Sequence, residues 1–238
     1  MRRINYNFER SKVKKFNKSI LLTAFFAQII SLYFFTIIGR FDASESDNIL
    51  TNYSALSGLA STISMCILVI YGAIIINGTL VKNYIGENKI RTYSYPNGRS
   101  QLFYDKVMAF SSVFNSFQFL GMAAANIVYL IIESLFPILD SHVFALSYLV
   151  HFFIINISTA ILTVSLIIFS GLAGVYLNST VATIVTGVVL IAVLGNVLAM
   201  AFASHLLVTL ISTILIAFLS VILIKLTGIK IEQDEVLS

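Results

Sequence analysis

The chain has 238 residues, of which 58% are hydrophobic and 11% are charged, whereas an ordinary soluble domain carries about 25% charged residues. A soluble protein of this composition would lack the polar groups needed to cover its surface, so the composition excludes that class and predicts one compact membrane domain. The net charge of +4 resides in loops, which favours contact with lipid over binding to nucleic acid.

The first 18 residues are basic and form a segment of their own. They hold seven Lys and Arg residues, which are Arg2, Arg3, Arg10, Lys12, Lys14, Lys15 and Lys18. Ile4, Phe8, Ser11 and Lys15 recur at steps of three and four residues, the spacing of neighbours on a helix. We therefore predict that residues 1–18 form an amphipathic helix lying along the membrane surface. The alternative is a disordered segment that only sets orientation.

Six apolar runs follow, each long enough to cross a hydrocarbon core about 30 Å thick as a helix of about 20 residues. They cover residues 19–39, 55–81, 107–132, 143–170, 181–201 and 206–229. The expected fold is therefore an all-α membrane protein with six transmembrane helices in one domain, residues 19–229, and a short tail, residues 230–238.

The basic residues fall almost entirely on one predicted side of the membrane. Besides the first segment, the loop 82–106 and the ends of the last run carry them, at Lys82, Lys89, Arg91, Arg99, Lys106, Lys225 and Lys230. Only Arg40 lies on the other side, beside Asp42, Glu45 and Asp47. Since short loops rich in Lys and Arg stay in the cytoplasm, we predict that both chain termini are cytoplasmic.

Three shorter connections separate the later runs. Residues 134–142 contain Pro137 and Asp140 and predict a surface turn or a short re-entrant hairpin. In residues 171–180, Gly171 and Gly174 are expected to permit a tight reversal. The link at 202–205 is very short.

The loop 82–106 is the longest hydrophilic stretch, and Pro96-Asn97-Gly98 divides it with a strong turn signal. Residues 85–93 can form about two helical turns. After the turn, a second helix is expected to continue into the third span, with Ser100 as its N-cap. This shape suits a docking element, although a solvated basic loop would obey the same charge rule.

Few residues within the spans could carry chemistry. His151 lies inside the fourth span, Glu133 ends the third and His205 lies before the sixth, and the chain has neither a metalloprotease HExxH motif nor a GxSxG elbow. It also lacks a P-loop, so we expect no catalytic residues, no metal site and no ATP hydrolysis in this chain. Cys66 is the single cysteine, which excludes an intrachain disulfide.

Amide side chains are more frequent in the spans, and with His151 they are candidates for a cargo pathway. They are Gln28, Asn115, Gln118, Asn126 and Asn156. One reading is that they line a path of weak polar groups. The other is that they form hydrogen bonds between helices, as polar side chains in membranes commonly do.

The layout resembles the membrane subunit of the type-2 ABC exporter family. The resemblance rests on the basic first segment, the six spans and the loop. In this family the loop contains a short helix, a turn and a basic residue before the third span. The matching residues here are Gly86-Glu87, Arg91-Thr92, the run Tyr95-Pro96-Asn97-Gly98-Arg99-Ser100 and Lys106. The chain lacks the large outer domain of the longer family members.

The resemblance implies a permease that pairs with a second copy, identical or related, above two cytoplasmic ABC ATPase subunits that would bind ATP and Mg. The loop helix would dock into the ATPase and couple through Ile85, Glu87, Lys89, Arg91, Tyr93 and Arg99, with residues 1–18 touching the same subunit. Small permeases of this kind resemble exporters of amphipathic peptides, such as antimicrobial, lantibiotic or signalling peptides, or of hydrophobic drugs, in the plasma membrane of Gram-positive bacteria.

The alternative is a membrane immunity or sensor protein that binds a peptide or lipid without transporting it. Asp42, Glu45 and Asp47 could attract a cationic peptide under either hypothesis, or could be part of a solvated loop.

Overall fold

The structure is a computed structural model that describes residues 2–41, 52–94, 98–136, 138, 146–204 and 206–234. Every element in these ranges is helical. The α-helices are α1 (Arg2–Lys14), α2 (Asn17–Phe41), α3 (Tyr53–Thr79), α4 (Glu87–Tyr93), α5 (Arg99–Leu135), α6 (Leu146–Tyr176), α7 (Thr180–Ser204) and α8 (Leu206–Gln233). A 3₁₀ turn, Val81–Asn83, follows α3.

Six of these helices, α2, α3, α5, α6, α7 and α8, are long and apolar enough to cross a membrane, which confirms the predicted all-α class with six spans. The helix α5 has 37 residues and is therefore about 55 Å long, so it extends beyond the predicted span at both ends. Several features of the sequence analysis lie outside the described residues. They are the acidic loop with Asp42, Glu45 and Asp47, the connection with Pro137 and Asp140, and the residues Pro96, Asn97 and His205.

The bundle has a buried centre and a more exposed edge. The helix α3 packs against α6 and α7, α2 packs against α5, and α8 packs against α6 and α5. Large side chains such as Met65, Phe110, Phe114 and Leu166 fill the centre. In contrast, α7 and α8 expose apolar side chains along their length, which gives these two helices a surface suited to hydrocarbon.

Two glycines allow spans to approach closely. A Cβ at Gly121 of α5 would lie 2.5 Å from the Leu21 carbonyl oxygen and 2.8 Å from the Ala24 Cβ of α2. A Cβ at Gly174 of α6 would overlap the Thr183 Oγ1 of α7. Small residues at helix contacts serve this purpose in membranes, where apolar side chains have no reason to prefer each other over lipid.

The expectation that Gly171 and Gly174 form the reversal after the fourth span is wrong. The helix α6 runs through both to Tyr176. Residues 177–179 make the turn, with Asn178 in the left-handed region at φ 47°, a conformation that asparagine tolerates better than most residues. Gly174 serves helix packing instead, because α6 and α7 meet there.

Within the predicted segment 1–18, residues Arg2–Lys14 form α1, whereas Asn17 already begins α2. The helix α1 packs against α5. It buries Glu9 and Val13, whereas Phe8, a member of the predicted apolar stripe, is 57% exposed. The face that contacts protein is therefore a different face from the predicted apolar one. The placement of α1 along the membrane surface stays a prediction.

We expect Gly121→Ala to destabilise the protein by about 1–3 kcal/mol, because the added methyl group meets backbone atoms that cannot rotate away. The matched control is Gly78→Ala in α3, where a Cβ meets nothing within 4 Å. The measurement is the unfolding midpoint in a mild detergent titrated with dodecyl sulfate. Equal midpoints for the two variants would contradict the close contact of α2 and α5.

Candidate functional site: the α4 surface

The short helix α4 begins where a glycine is needed. Gly86, its N-terminal flanking residue, has φ 58°, a conformation that is strained for other residue types. The helix comprises residues 87–93 rather than the predicted 85–93, so Ile85 lies just before it and is half-buried. Thr92 Oγ1 donates to the Asn83 carbonyl at 2.7 Å, which ties α4 to the 3₁₀ turn that follows α3.

Asp234, the residue that directly follows α8, also holds α4. The Asp234 carboxylate accepts a hydrogen bond from the Tyr93 hydroxyl at 3.1 Å and lies 2.6 Å from Lys89 Nζ. Arg99, the first residue of α5, donates to the Asp234 carbonyl at 2.8 Å. We call these four residues the Asp234 clamp. A single exposed ion pair contributes little to stability, but here several contacts converge on one residue.

An aromatic stack supports the clamp. The Arg99 guanidinium lies 4.8 Å from the centre of the Tyr93 ring, and the Lys89 ammonium lies 5.4 Å from it. Tyr93 meets Tyr84 edge-to-face, and Tyr84 meets Phe103 of α5 in the same way. Burial raises the pKa of the Tyr84 and Tyr93 hydroxyls well above the ordinary value. Tyr93 therefore remains protonated and donates to Asp234.

The start of α5 differs from the sequence expectation. Gly98 precedes the helix at φ 79° and supplies no side-chain cap, so Ser100 is not the N-cap. Its hydroxyl instead donates to Glu232 of α8 at 3.0 Å. This contact adds a second link between the beginning of α5 and the end of α8.

Five of the six predicted coupling residues fall into two groups. Lys89, Tyr93 and Arg99 belong to the Asp234 clamp, whereas Glu87 and Arg91 are exposed. The sixth, Ile85, lies before α4 and belongs to neither group. Between the exposed pair lies Ile90, whose side chain is 56% exposed. We call Glu87, Ile90 and Arg91 the α4 face. These three side chains lie at helical spacings of three and four residues, so they share one exposed face of α4.

Sequence reasoning missed Asp234 and Ile90. Asp234 lies 141 positions from Tyr93, so no local pattern connects them. A signal did exist, because Glu232 and Asp234 place acidic charge at the end of the last span, on the same predicted side as the basic loop.

The helix α1 adjoins this region through a buried ion pair. Lys106 Nζ of α5 lies 3.0 Å from Glu9 Oε2, and Lys12 Nζ lies 2.8 Å from Glu9 Oε1. Glu9 and Lys106 are 6% and 7% exposed. A polar cavity of about 340 Å³ lies between α1, α4 and α5, and Arg91 of the α4 face also lines it. One partner could therefore touch α1 and α4 together.

Four of the predicted intramembrane polar residues connect helices. Gln28 Nε2 of α2 donates to Asn126 Oδ1 of α5 at 2.9 Å and contacts Ser61 Oγ of α3 at 3.2 Å. Gln118 Nε2 donates to Thr163 Oγ1 at 2.8 Å, and Asn156 Nδ2 reaches the Phe119 carbonyl at 3.5 Å. These contacts fit a packing role. A role in contacting cargo stays a prediction.

The other two candidates have different surroundings. Asn115 lines a cavity of about 910 Å³ between α5, α6 and α8. His151 hydrogen-bonds to the backbone of Ser54 and is half-buried. It lies on α6 but does not line that cavity. In the described part of the chain, no three His, Cys, Asp or Glu side chains are grouped to hold a metal ion.

Comparison with known proteins gave no relative: no family model, no curated protein and no solved structure matches the chain.

We expect Asp234→Asn to raise the hydrogen-exchange rate of the α4 backbone amides about tenfold, because charge-assisted hydrogen bonds contribute about 1.5–3 kcal/mol and the variant loses the charge that Lys89 faces. Mass spectrometry of deuterated peptides covering residues 84–94 measures this rate. The matched control is Glu87→Gln, the same chemical change on the exposed α4 face, which should raise exchange less than Asp234→Asn because it removes only the favourable charge at the helix N-terminus, about 0.3–1 kcal/mol. Equal rates in both variants would show that the clamp does not hold α4.

The clamp should also respond to acid. The hydrogen bond from Lys89 lowers the pKa of Asp234 in the folded protein. The ionised carboxylate therefore stabilises the clamp fully above the ordinary aspartate pKa of about 3.9. This stabilisation is lost as the pH falls through the lowered pKa of the folded state. A spin label at Asn88→Cys in a Cys66→Ala background should therefore keep constant mobility between about pH 8 and pH 5 and become mobile only below about pH 4. In Asp234→Asn the label should be mobile throughout. A transition near neutral pH would contradict this assignment.

Proposed function

We propose that the chain is the permease subunit of an ABC exporter of the type-2 family. It pairs with a second permease copy, lies in the plasma membrane of a Gram-positive bacterium with both termini in the cytoplasm, and forms the path for an amphipathic peptide or a hydrophobic drug. The chain itself is non-catalytic. Separate ABC ATPase subunits bind ATP and Mg and dock on the α4 face.

The observation that supports this proposal is the unequal environment of the two sides of α4. Glu87, Ile90 and Arg91 are exposed and can meet a partner. The buried side chains are attached to Asp234, which directly follows α8, and, through Thr92 and Asn83, to the 3₁₀ turn after α3. Coupling needs a stiff element that transfers a displacement to the spans, and α4 has these attachments.

The path from α4 into the membrane is short. Arg99 belongs to both the clamp and the first turn of α5, and the stack of Tyr93, Tyr84 and Phe103 continues into the same helix. A force on α4 therefore acts on α5 and α8 together. A partner that binds α4 differently in two states would shift the bundle between two arrangements.

The test is a pull-down of the full chain from native membranes in a gentle detergent, with quantitative mass spectrometry of the proteins that accompany it. We expect a stoichiometric P-loop ATPase. The double variant Ile90→Ser with Arg91→Glu should reduce its recovery at least tenfold, because anchor residues at interfaces contribute about 2 kcal/mol or more.

The control is Ile37→Ser with Arg40→Glu, the same pair of changes at an exposed isoleucine and arginine at the far end of α2. It should recover the ATPase as the unaltered chain does. If the α4 variant recovers as much ATPase as the unaltered chain, the α4 face is not the docking site. If the intact, folded chain brings down no ATPase, the function is that of a membrane immunity or sensor protein that binds its peptide or lipid without transport.

A further inference from the structure

One amide side chain lies on the outside of the bundle, within a span. Asn196 of α7 is exposed, and in the described part of the chain no hydrogen bond involves its side chain. Four other amides of the spans are buried, namely Gln28, Gln118, Asn126 and Asn156. Asn196 lies six residues, or about 9 Å, before Phe202, the end of the apolar run. Met200, which is 74% exposed, lies between them, so the apolar surface continues on both sides of the amide.

An amide in this position is unfavourable unless a partner reaches it. It carries two N–H donors and a carbonyl acceptor, and hydrocarbon offers neither, so the unsatisfied groups cost free energy. The opposite side of α7 already packs against α3. A Cβ at Gly187 would lie 3.4 Å from the Ala73 Cβ of α3, and one at Gly195 would lie 4.0 Å from Cys66 Sγ of α3. A partner for Asn196 must therefore lie outside the part of the chain that the structure describes.

The side chains beside Asn196 differ from those on other exposed faces. Val185, Val189 and Ala192 are exposed with it, and the four residues follow one another at steps of four, three and four, the spacing of residues that meet in a parallel helix pair. We call these four residues the α7 face. The exposed faces of α3 and α8 carry larger side chains, among them Ile67, Ile70 and Ile74 on α3 and Leu215, Phe218 and Ile222 on α8. Smaller side chains let two helices approach closely, so the α7 face suits a helix better than lipid.

A second copy of the chain satisfies Asn196 without any other residue. Two copies inserted in the same orientation are related by a two-fold axis perpendicular to the membrane, so their α7 helices run parallel. Residues that face the axis then meet their own counterparts. Because the Nδ2 of an asparagine donates and its Oδ1 accepts, two such side chains pair with each other. In parallel coiled coils a single Asn among apolar contacts sets the register of two helices in the same way.

We propose that the α7 face binds a second copy of this chain, with Asn196 hydrogen-bonded to its counterpart at the two-fold axis. The inference rests on the proposed function in so far as that function requires a second permease copy, and it adds the surface that holds this copy. The α4 face takes no part in the contact, so pairing and the docking of an ATPase can fail separately.

The first test is oxidative cross-linking of the full chain in its native membranes, in a Cys66→Ala background. Val189→Cys and Ala192→Cys each place a thiol on the α7 face and leave Asn196 intact. We expect both to give a disulfide-linked homodimer, because a disulfide forms where two Cα atoms lie within about 7 Å of each other. The matched controls, Ile70→Cys on α3 and Phe218→Cys on α8, are exposed positions on other faces and should stay monomeric.

The second test measures the dissociation constant of the dimer, by energy transfer between labelled copies of the full chain in liposomes diluted with lipid. Asn196→Val should raise this constant about tenfold, since a hydrogen bond between membrane helices contributes that order of affinity. Asn196→Gln keeps the amide and should raise it less. The control is Ser116→Ala on α5, where the exposed residue already donates to the Ser112 carbonyl at 2.7 Å, and it should leave the constant unchanged. Thermal unfolding shows whether each variant is folded.

Several results would overturn the pairing. An unchanged dissociation constant in folded Asn196→Val would place the amide outside the interface. Cross-linking of the Ile70→Cys or Phe218→Cys controls as efficient as that of the α7 variants would mean random collision. A disulfide to a protein other than this chain would give the α7 face a different partner. A monomeric chain that still recovers the ATPase would overturn the pairing alone, whereas a cross-linked dimer without an ATPase would support the pairing and overturn the docking alone.

Discussion

The bundle depends on one seam, the contact between α2 and α5. Hydrocarbon gives apolar helices no reason to associate, so close backbone approach and polar pairs between helices must hold them. Gly121 supplies the close approach, and Gln28, which bonds to Asn126 of α5 and contacts Ser61 of α3, supplies the polar pairing. The same seam fixes the position of α5, which contributes Arg99 and Phe103 to the candidate site.

The long helix α5 joins the membrane to the parts beside it. Its first turns contact α8 through Ser100, the aromatic stack through Phe103 and α1 through Lys106. The Lys106–Glu9 pair is almost fully buried, and removing two charges from water offsets much of their attraction. Its main contribution is therefore to position, because a displaced α1 would leave one charge buried alone. The α4 face is consequently presented from a base formed by α5 and α8.

The six spans could be predicted because hydropathy over about 20 residues reflects a requirement of the bilayer itself. The local conformation of the connections was harder to predict from the sequence. Gly171 and Gly174 have the composition of a turn, yet both serve packing inside α6, and Asn178 makes the reversal. The bounds of the loop helix were predicted to within two residues. The contacts that hold it were not predicted, because Asp234 is distant in sequence and only the folded bundle brings it to Tyr93. The division of five of the predicted coupling residues into a clamp and an exposed face required the structure.

The helix α1 lies between two cavities. Glu9 and Lys12 face the polar cavity that Arg91 also lines, while Tyr6 faces the larger cavity beside α5. A ligand in either place therefore bears on the same short helix. If occupancy of the larger cavity shifts α1 relative to α4, the affinity of a partner bound to the α4 face changes, and by linkage that partner changes the affinity for the occupant of the cavity by the same factor. The fold thus provides a physical route between the larger cavity and the α4 face.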